Sequence, residues 1–375
     1  SDIAAELGIT PATITSICNE FFQKNLLVQR QKCDTPGKVG RRKLPVELNY
    51  DYKLVLSINI NTTGTDISIC NLAGNLLRGI GIPTDPTLPP ERFLRQVAEC
   101  CVKLLWDSDL AGKELLGAGV TVLGPVDNRE GTALKAYSVW GQPVPVKSIL
   151  ESELRIPVYV ESNVCALAEA VLLYGEAGDA PNILVVHWGP GLGSATIIGG
   201  KLFKGRNHQT AELGHNFIDG SGARCRCGKV GCLETKVSVA AILARVEQIA
   251  NLPGRTPLRI LAERIGPLRR DNLDAYLDTP FPPLDEYLDD ISFRLAVAVN
   301  NAVQILAPDK IILFGEMFAN DGLYERFRRS LPTINETIVD GMFLRSAFQS
   351  RRLYIGGGAC AVKRFLVDTG GLNGS

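Results

Sequence analysis

Apolar positions along the chain follow two periods, one near 3.6 residues and one near 2, and the switches between them mark the elements. Ile3, Ala4 and Leu7 fall on one helical face, with Ser1 placed to cap that helix and Gly8 to stop it. Thr10 can cap a second helix with Pro11 at its first position, and Ile14, Ile17, Cys18 and Phe21 form the stripe expected to be buried. Its other face carries only short side chains: Ala12, Thr13, Thr15, Ser16 and Asn19. Residues 26–28 read as a strand, 30–43 as a polar loop rich in Gly, Lys and Arg, and Leu44, Val46 and Leu48 alternate as a second strand would.

Beyond residue 50 the alternation lengthens and then repeats. Residues 54–58, 65–70 and 75–82 are β-rich runs joined by Gly-containing turns, followed by a helical period over 91–106. The same order returns about 130 residues later at 183–187, 194–198 and 201–204, with a helix predicted over 289–306. Residues 117–126 and 156–160 between the copies are also β-like. That spacing is too long for a solenoid and suits two halves of one molecule, which commonly bury a ligand cleft between them.

Composition narrows the class. With 375 residues, 45% of them apolar, the chain can form two or three compact units. It has no uncharged apolar run of about 18 residues, so no membrane span or membrane partner is expected. Nor does it begin with an export signal, so the cytoplasm is the expected compartment. Forty basic residues balance forty acidic ones, yet residues 1–45 hold seven basic against four acidic. Lys38, Arg41 and Arg42 in the 30–43 loop could lie along phosphates, and the short polar face from Thr10 to Asn19 suits a major groove. Residues 1–50 therefore read as a winged helix-turn-helix DNA-binding domain, with Thr10, Pro11, Ala12, Thr13, Thr15 and Ser16 in the recognition helix. The chain starts at Ser1 without Met, and the first helix of such a domain is expected ahead of this numbering. A helical hairpin with a solvated face, followed by a solvated linker, is the alternative.

Seven of the ten cysteines (Cys18, Cys33, Cys70, Cys100, Cys101, Cys165 and Cys360) are scattered and read as reduced core residues. The other three cluster. His215, Cys225, Cys227 and Cys232 have the spacing H-x9-C-x-C-x4-C, and one imidazole with three thiolates suits a tetrahedral, structural zinc ion, Zn2+. Three unligated cysteines or a redox dithiol are the weaker alternatives.

The segments AELGH and CRCGKVGCLE resemble the double signature of the ROK family of bacterial sugar kinases and sugar-responsive repressors. The resemblance extends over VLGPVD, Trp140-Gly141, VESNVCALAE and GPGLG, nearly the whole chain. It implies an α/β fold: a duplicated actin/hexokinase-like (ribonuclease H-like), two-lobed ROK domain behind the winged helix-turn-helix. The lobes are expected at 51–165, joined by 360–375, and at 166–359 with the zinc loop. It also implies sugar contacts from Glu212, His215 and Glu234, to which Ser162 and Asn163 are added from the VESN segment.

Family kinases carry D-x-G-G-T, E-N-D, G-T-G and a late G-G pair where this chain has 59–63 as NINTT, Glu161-Ser162-Asn163, Gly189-Pro190-Gly191 and Gly315-Glu316. An asparagine cannot serve as the general base, and proline removes a backbone donor from a phosphate loop. The expectation is a sugar pocket kept and kinase chemistry lost, with no catalytic residue and no enzyme activity. The chain is read as a repressor of carbohydrate-metabolism genes. It would bind a palindromic operator in double-stranded DNA as a homodimer or dimer of dimers, under control of a sugar or sugar phosphate in the cleft. An active sugar kinase, or a regulator controlled by a protein partner, is the alternative.

Overall fold

The computed structural model describes residues 2–29, 45–62, 64–205, 212–218, 220, 223–336, 338, 340–351 and 353–370. At the N-terminus, α1 (Asp2–Leu7) and α2 (Pro11–Gln23) enclose a turn in which Gly8 takes φ +66°. Thr10 caps α2 as expected, its hydroxyl accepting from the N–H of Thr13 at 3.2 Å. Strands β1 (Leu27–Gln29) and β2 (Val46–Leu48) pair antiparallel. The expected buried stripe is not buried: Ile17 is 36% exposed, Ile14 and Cys18 only half-buried. On α1, Ala4 is covered while Ile3 and Leu7 are exposed. A six-residue helix is too short to cover a thirteen-residue one. Phe21 packs instead with Leu26 and Leu48 against Val55, Cys70, Leu72 and Leu366 of the body. Ser1 and the basic residues Lys38, Arg41 and Arg42 lie outside the described residues.

The body repeats one plan twice. The first half comprises β3 (Leu54–Ile60), β4 (Gly64–Cys70), β5 (Leu76–Pro83), α3 (Pro90–Trp106), β6 (Leu115–Val122), the short ladder β7 (Val126–Asp127) and β8 (Thr132–Ala133), α4 (Val146–Leu154) and β9 (Val158–Ser162). Its sheet runs β5-β4-β3-β6-β9, antiparallel through the first three strands and parallel through the last three. Helix α5 (Asn163–Leu173) then leads into β10 (Ile183–Trp188), β11 (Leu192–Ile198), β12 (Lys201–Leu202) and the helices α6 (Glu234–Val237), α7 (Val239–Ala250), α8 (Pro257–Ile265), α9 (Leu273–Leu277) and α10 (Pro282–Leu306). Last come β13 (Lys310–Phe314), α11 (Glu316–Ala319), α12 (Asp321–Ile334), β14 (Phe343–Arg345) and α13 (Ile355–Val362). The second sheet runs β12-β11-β10-β13-β14 with the same parallel and antiparallel pattern, so the duplication read from the sequence is present strand for strand.

Strand interiors are nearly continuous apolar runs, as expected for sheets covered on both faces. Two helices connect the halves. Helix α5 leaves β9 and packs its Val164, Leu167 and Val171 with Ile183, Val185 and Ile312 of the second sheet. Helix α13 returns to the first sheet, where Ser57 Oγ donates to Tyr354 O at 2.8 Å. A Cβ at Gly119 of β6 would overlap the carbonyl of Gly357, so only glycine lets this helix lie so close. Among the scattered cysteines, Cys70, Cys101 and Cys360 are buried as expected, whereas Cys18, Cys100 and Cys165 are only partly covered and Cys33 lies outside the described residues. Among the described residues no helix is long and apolar enough to cross a membrane.

Candidate sugar pocket and metal cluster

A cavity of about 300 Å³ opens between the two halves. The first sheet contributes Asn59 and Thr121, the end of β9 contributes Ser162 and the start of α5 Asn163; the second half contributes Glu212, His215 and Glu234. All five residues expected to contact sugar therefore share one cavity. Three of the positions read as departures from the kinase pattern, Asn59, Pro190 and Glu316, line it too. Asn59 is buried, and its Oδ1 accepts from Thr121 Oγ1 at 2.8 Å.

The metal cluster forms one wall. The chain from Arg224 to Val230 doubles back, with Cys225 N–H bonded to Lys229 O at 2.8 Å and Gly228 at φ +98°, which a side chain would strain. His215 follows in a short turn paired to the same loop through Leu233 N–H and Asn216 O. The ligand atoms of His215, Cys225, Cys227 and Cys232 all lie within 4.8 Å of one another. Cys227 Sγ and Cys232 Sγ are 3.7 Å apart, and Cys225 Sγ and His215 Nδ1 3.6 Å. Metal–sulfur and metal–nitrogen bonds of about 2.3 and 2.0 Å give tetrahedral edges of about 3.8 and 3.5 Å, so the donor set fits such an ion; a disulfide, at about 2.05 Å, does not fit. With Nδ1 turned to the thiols, Nε2 faces Glu212 Oε2 at 3.8 Å, beyond direct hydrogen-bond distance. Burial holds the His215 ring below its usual value, favouring the neutral form, and pushes the Glu212 carboxyl up, reinforced by the nearby Glu234.

Glu234, at the start of α6, is committed differently from the expectation. Its two oxygens accept a fork from Arg226, Nε to Oε1 and Nη2 to Oε2, both at 2.8 Å. Oε2 also accepts from Leu192 N–H at 3.1 Å. A Cβ at Gly191 would collide with both partners, so the glycine makes room for the pair. The Arg226 guanidinium lies 5.3 Å from the centre of the Tyr137 ring, and Tyr137 also meets His215 edge-on. Arg226 and Tyr137 were not singled out from the sequence; the position between the paired cysteines was the available signal for Arg226.

Two further observations bear on phosphoryl chemistry. Glu316 at the start of α11 is bound by Arg270 through Nη2–Oε1 at 2.7 Å and Nε–Oε2 at 3.2 Å, and both residues line the cavity. Glu161, the acid nearest Asn163 in sequence, is buried and does not line the cavity; it pairs with Lys204 at 2.5 Å and accepts from Asn128 at 3.0 Å.

Comparison with known proteins gives these features a context. A xylose repressor from Caldicellulosiruptor bescii is 25% identical over 326 residues, 84% of this chain and 80% of the repressor. A glucokinase from Halalkalibacterium halodurans is 27% identical over 315 residues, 82% of this chain and 94% of the kinase. The crystal structure of a ROK family transcriptional regulator, described as a homolog of E. coli MLC protein, superposes with a TM-score of 0.80 at 20% identity, covering 100% of this chain and 94% of its own. The fold is thus shared by repressors and kinases, and because the model of the ROK family matches residues 55–339, the chain belongs to the ROK family.

Proposed function

We propose that this protein is a DNA-binding transcriptional regulator, a repressor of carbohydrate-metabolism genes, whose effector is a sugar or sugar phosphate held between the two halves. One observation carries the reading: Ser162, Asn163, Glu212, His215 and Glu234 converge on a cavity in which the base position is an amide and the acid nearest to it in sequence, Glu161, is paired with Lys204 and does not line the cavity. Carboxylates and amides suit paired sugar hydroxyls. The Arg270–Glu316 pair and Pro190 occupy the region a family kinase would give to nucleotide, which supports the loss of enzyme activity.

The remaining assignments are part of the same proposal. Zinc fills the four-residue cluster with no open position, so it braces the pocket wall and supplies no hydroxide. Residues 1–50 act as a winged helix-turn-helix, with Thr10, Pro11, Ala12, Thr13, Thr15 and Ser16, all exposed, reading the major groove, and Lys38, Arg41 and Arg42 adding phosphate affinity. Thr15 Oγ1 is already bonded to Pro11 O at 2.8 Å and the Thr10 and Thr13 hydroxyls to each other at 2.8 Å, so Ala12 and Ser16 are the less committed readers. Residues 51–165 with 360–375, and 166–359, are the two lobes. A homodimer in the cytoplasm binds a palindromic operator, and lobe closure on the effector changes the spacing of its two heads.

The test is thermal stabilisation of the zinc-loaded protein by neutral and phosphorylated sugars, each with and without Mg-ATP. Stabilisation by one sugar class, unaltered by ATP, is expected. Sugar-dependent ATP turnover would overturn the reading in favour of a kinase, an activity the glucokinase relative carries by name.

A further inference from the structure

A second cavity, of about 350 Å³, lies at the junction of the two halves and shares no lining residue with the sugar pocket. Tyr159 of β9 enters it from the first sheet, and Lys201 and Lys204 enter it from the β12 edge of the second. Helix α5 supplies Glu169, and the end of α13 with the turn after it supplies Lys363, Arg364 and Asp368.

The charges in this cavity are unevenly satisfied. Lys204 is held by Glu161 at 2.5 Å and bonded to Tyr159 OH at 3.0 Å. Lys363 is held by both oxygens of Asp368, at 2.9 and 3.1 Å. Among the described residues no ion pair or hydrogen bond engages the side chains of Lys201 or Arg364, both on the exposed rim. Deeper in the cavity Glu169 is 8% exposed, and its Oε2 has no hydrogen-bond partner. A buried carboxylate oxygen without a donor is destabilising, so its retention calls for a partner supplied from outside the chain.

We infer that this cavity is a second ligand site, for a small hydroxylated phosphate ester whose hydroxyl donates to Glu169 and whose phosphate is held by Lys201 and Arg364. These two cations match a dianion better than the single charge of a carboxylate, and the unpartnered buried oxygen of Glu169 calls for a donor on the same molecule. Inorganic phosphate alone meets only the rim, and a neutral polyol meets only the floor. The site stands independently of what the sugar pocket binds.

Isothermal titration of the full chain with glycerol 3-phosphate and glucose 6-phosphate, against glycerol and inorganic phosphate, tests this. Saturable binding of at least one ester at one site per chain is expected, tighter than inorganic phosphate by tenfold or more. Lys201→Ala/Arg364→Ala, both exposed and tolerated by the fold, should weaken that binding at least tenfold. Glu169→Leu, which removes the acceptor at similar volume, should remove the advantage of the ester over inorganic phosphate. Glu212→Gln, in the other cavity, should leave the binding of glycerol 3-phosphate unchanged, whereas any part of the glucose 6-phosphate binding that it alters belongs to the sugar pocket. Absence of saturable binding by both esters overturns the proposal, as does binding that Glu212→Gln abolishes and Lys201→Ala/Arg364→Ala does not touch. Equal binding of ester and inorganic phosphate overturns the assignment of Glu169.

Discussion

Arg226→Ala isolates the interaction that ties the metal loop to the sugar pocket. The variant removes both donors of the fork on Glu234, whose side chain is 8% exposed, and leaves that carboxylate Leu192 N–H on Oε2 and only the weak Cys225 Sγ contact at 3.8 Å on Oε1. Breaking a fully buried pair costs about 3–5 kcal/mol; because the Arg226 side chain is itself 28% exposed, water enters the vacated space and the cost falls to about 2–3 kcal/mol. Arg226→Lys keeps the charge and loses the fork, at about 1 kcal/mol. Urea denaturation of wild type, Arg226→Ala, Glu234→Gln and the double variant, followed by circular dichroism, closes a thermodynamic cycle. The coupling should be near 2 kcal/mol, a factor of about 30 in the folded-to-unfolded ratio. The double variant should be more stable than the sum of the singles implies, since it no longer buries an unpaired charge. A coupling below about 0.5 kcal/mol would mean the pair behaves as an exposed one and would refute the argument that it ties the metal loop to the cavity wall.

On the proposed reading, chelation of the metal should lower the melting temperature and abolish sugar binding together, because His215 of the cluster and the cavity-lining Glu212 and Glu234 share one loop system; elemental analysis should find one zinc per chain, absent in Cys227→Ser. Gly119→Ala should destabilise the chain by about 3 kcal/mol or more in urea, since the new methyl meets the Gly357 backbone, which cannot rotate away. Glu169→Gln should change the pH dependence of stability. Burial raises the Glu169 carboxyl above its ordinary value of 4.5, so the folded state binds that proton more tightly than the unfolded state. Its charge therefore costs no stability below pH 4.5 and increasingly more as pH rises through the folded value. The glutamine variant should match wild type at pH 4 and exceed it at pH 8 in the absence of ligand, and a gain at both pH values would refute the electrostatic cause. At the N-terminus, Thr10→Ala should cost about 1 kcal/mol of local helix stability, read as faster amide exchange at Thr13.

What was legible in the sequence was set by local rules. The strand periods of β3 to β5 and of β10 and β11 depend on neighbouring residues alone, so their positions were predicted to within two or three residues. The four-residue metal cluster was legible for the same reason, because His215 and the three cysteines lie within 18 positions of chain. The α2 stripe misled because a helical period shows which face is apolar but not how much chain is available to cover it; Ile17 stays exposed while Phe21 is taken by the body. Arg226 escaped because its partner Glu234 read as a sugar ligand, and only the fold shows both carboxylate oxygens already accepting from the guanidinium. Glu161 and Asn163 make the converse case: two positions apart in sequence, only Asn163, at the start of α5, lines the sugar pocket, whereas Glu161 of β9 is buried against Lys204. A motif reading assigns Glu161 and Asn163 to one site, whereas the turn between them separates an ion pair at Lys204 from a candidate sugar contact. This separation makes the amide at 163 informative about chemistry. An acid two residues away cannot substitute for the missing base when its carboxylate is bonded to Lys204 and Asn128 and does not line the cavity.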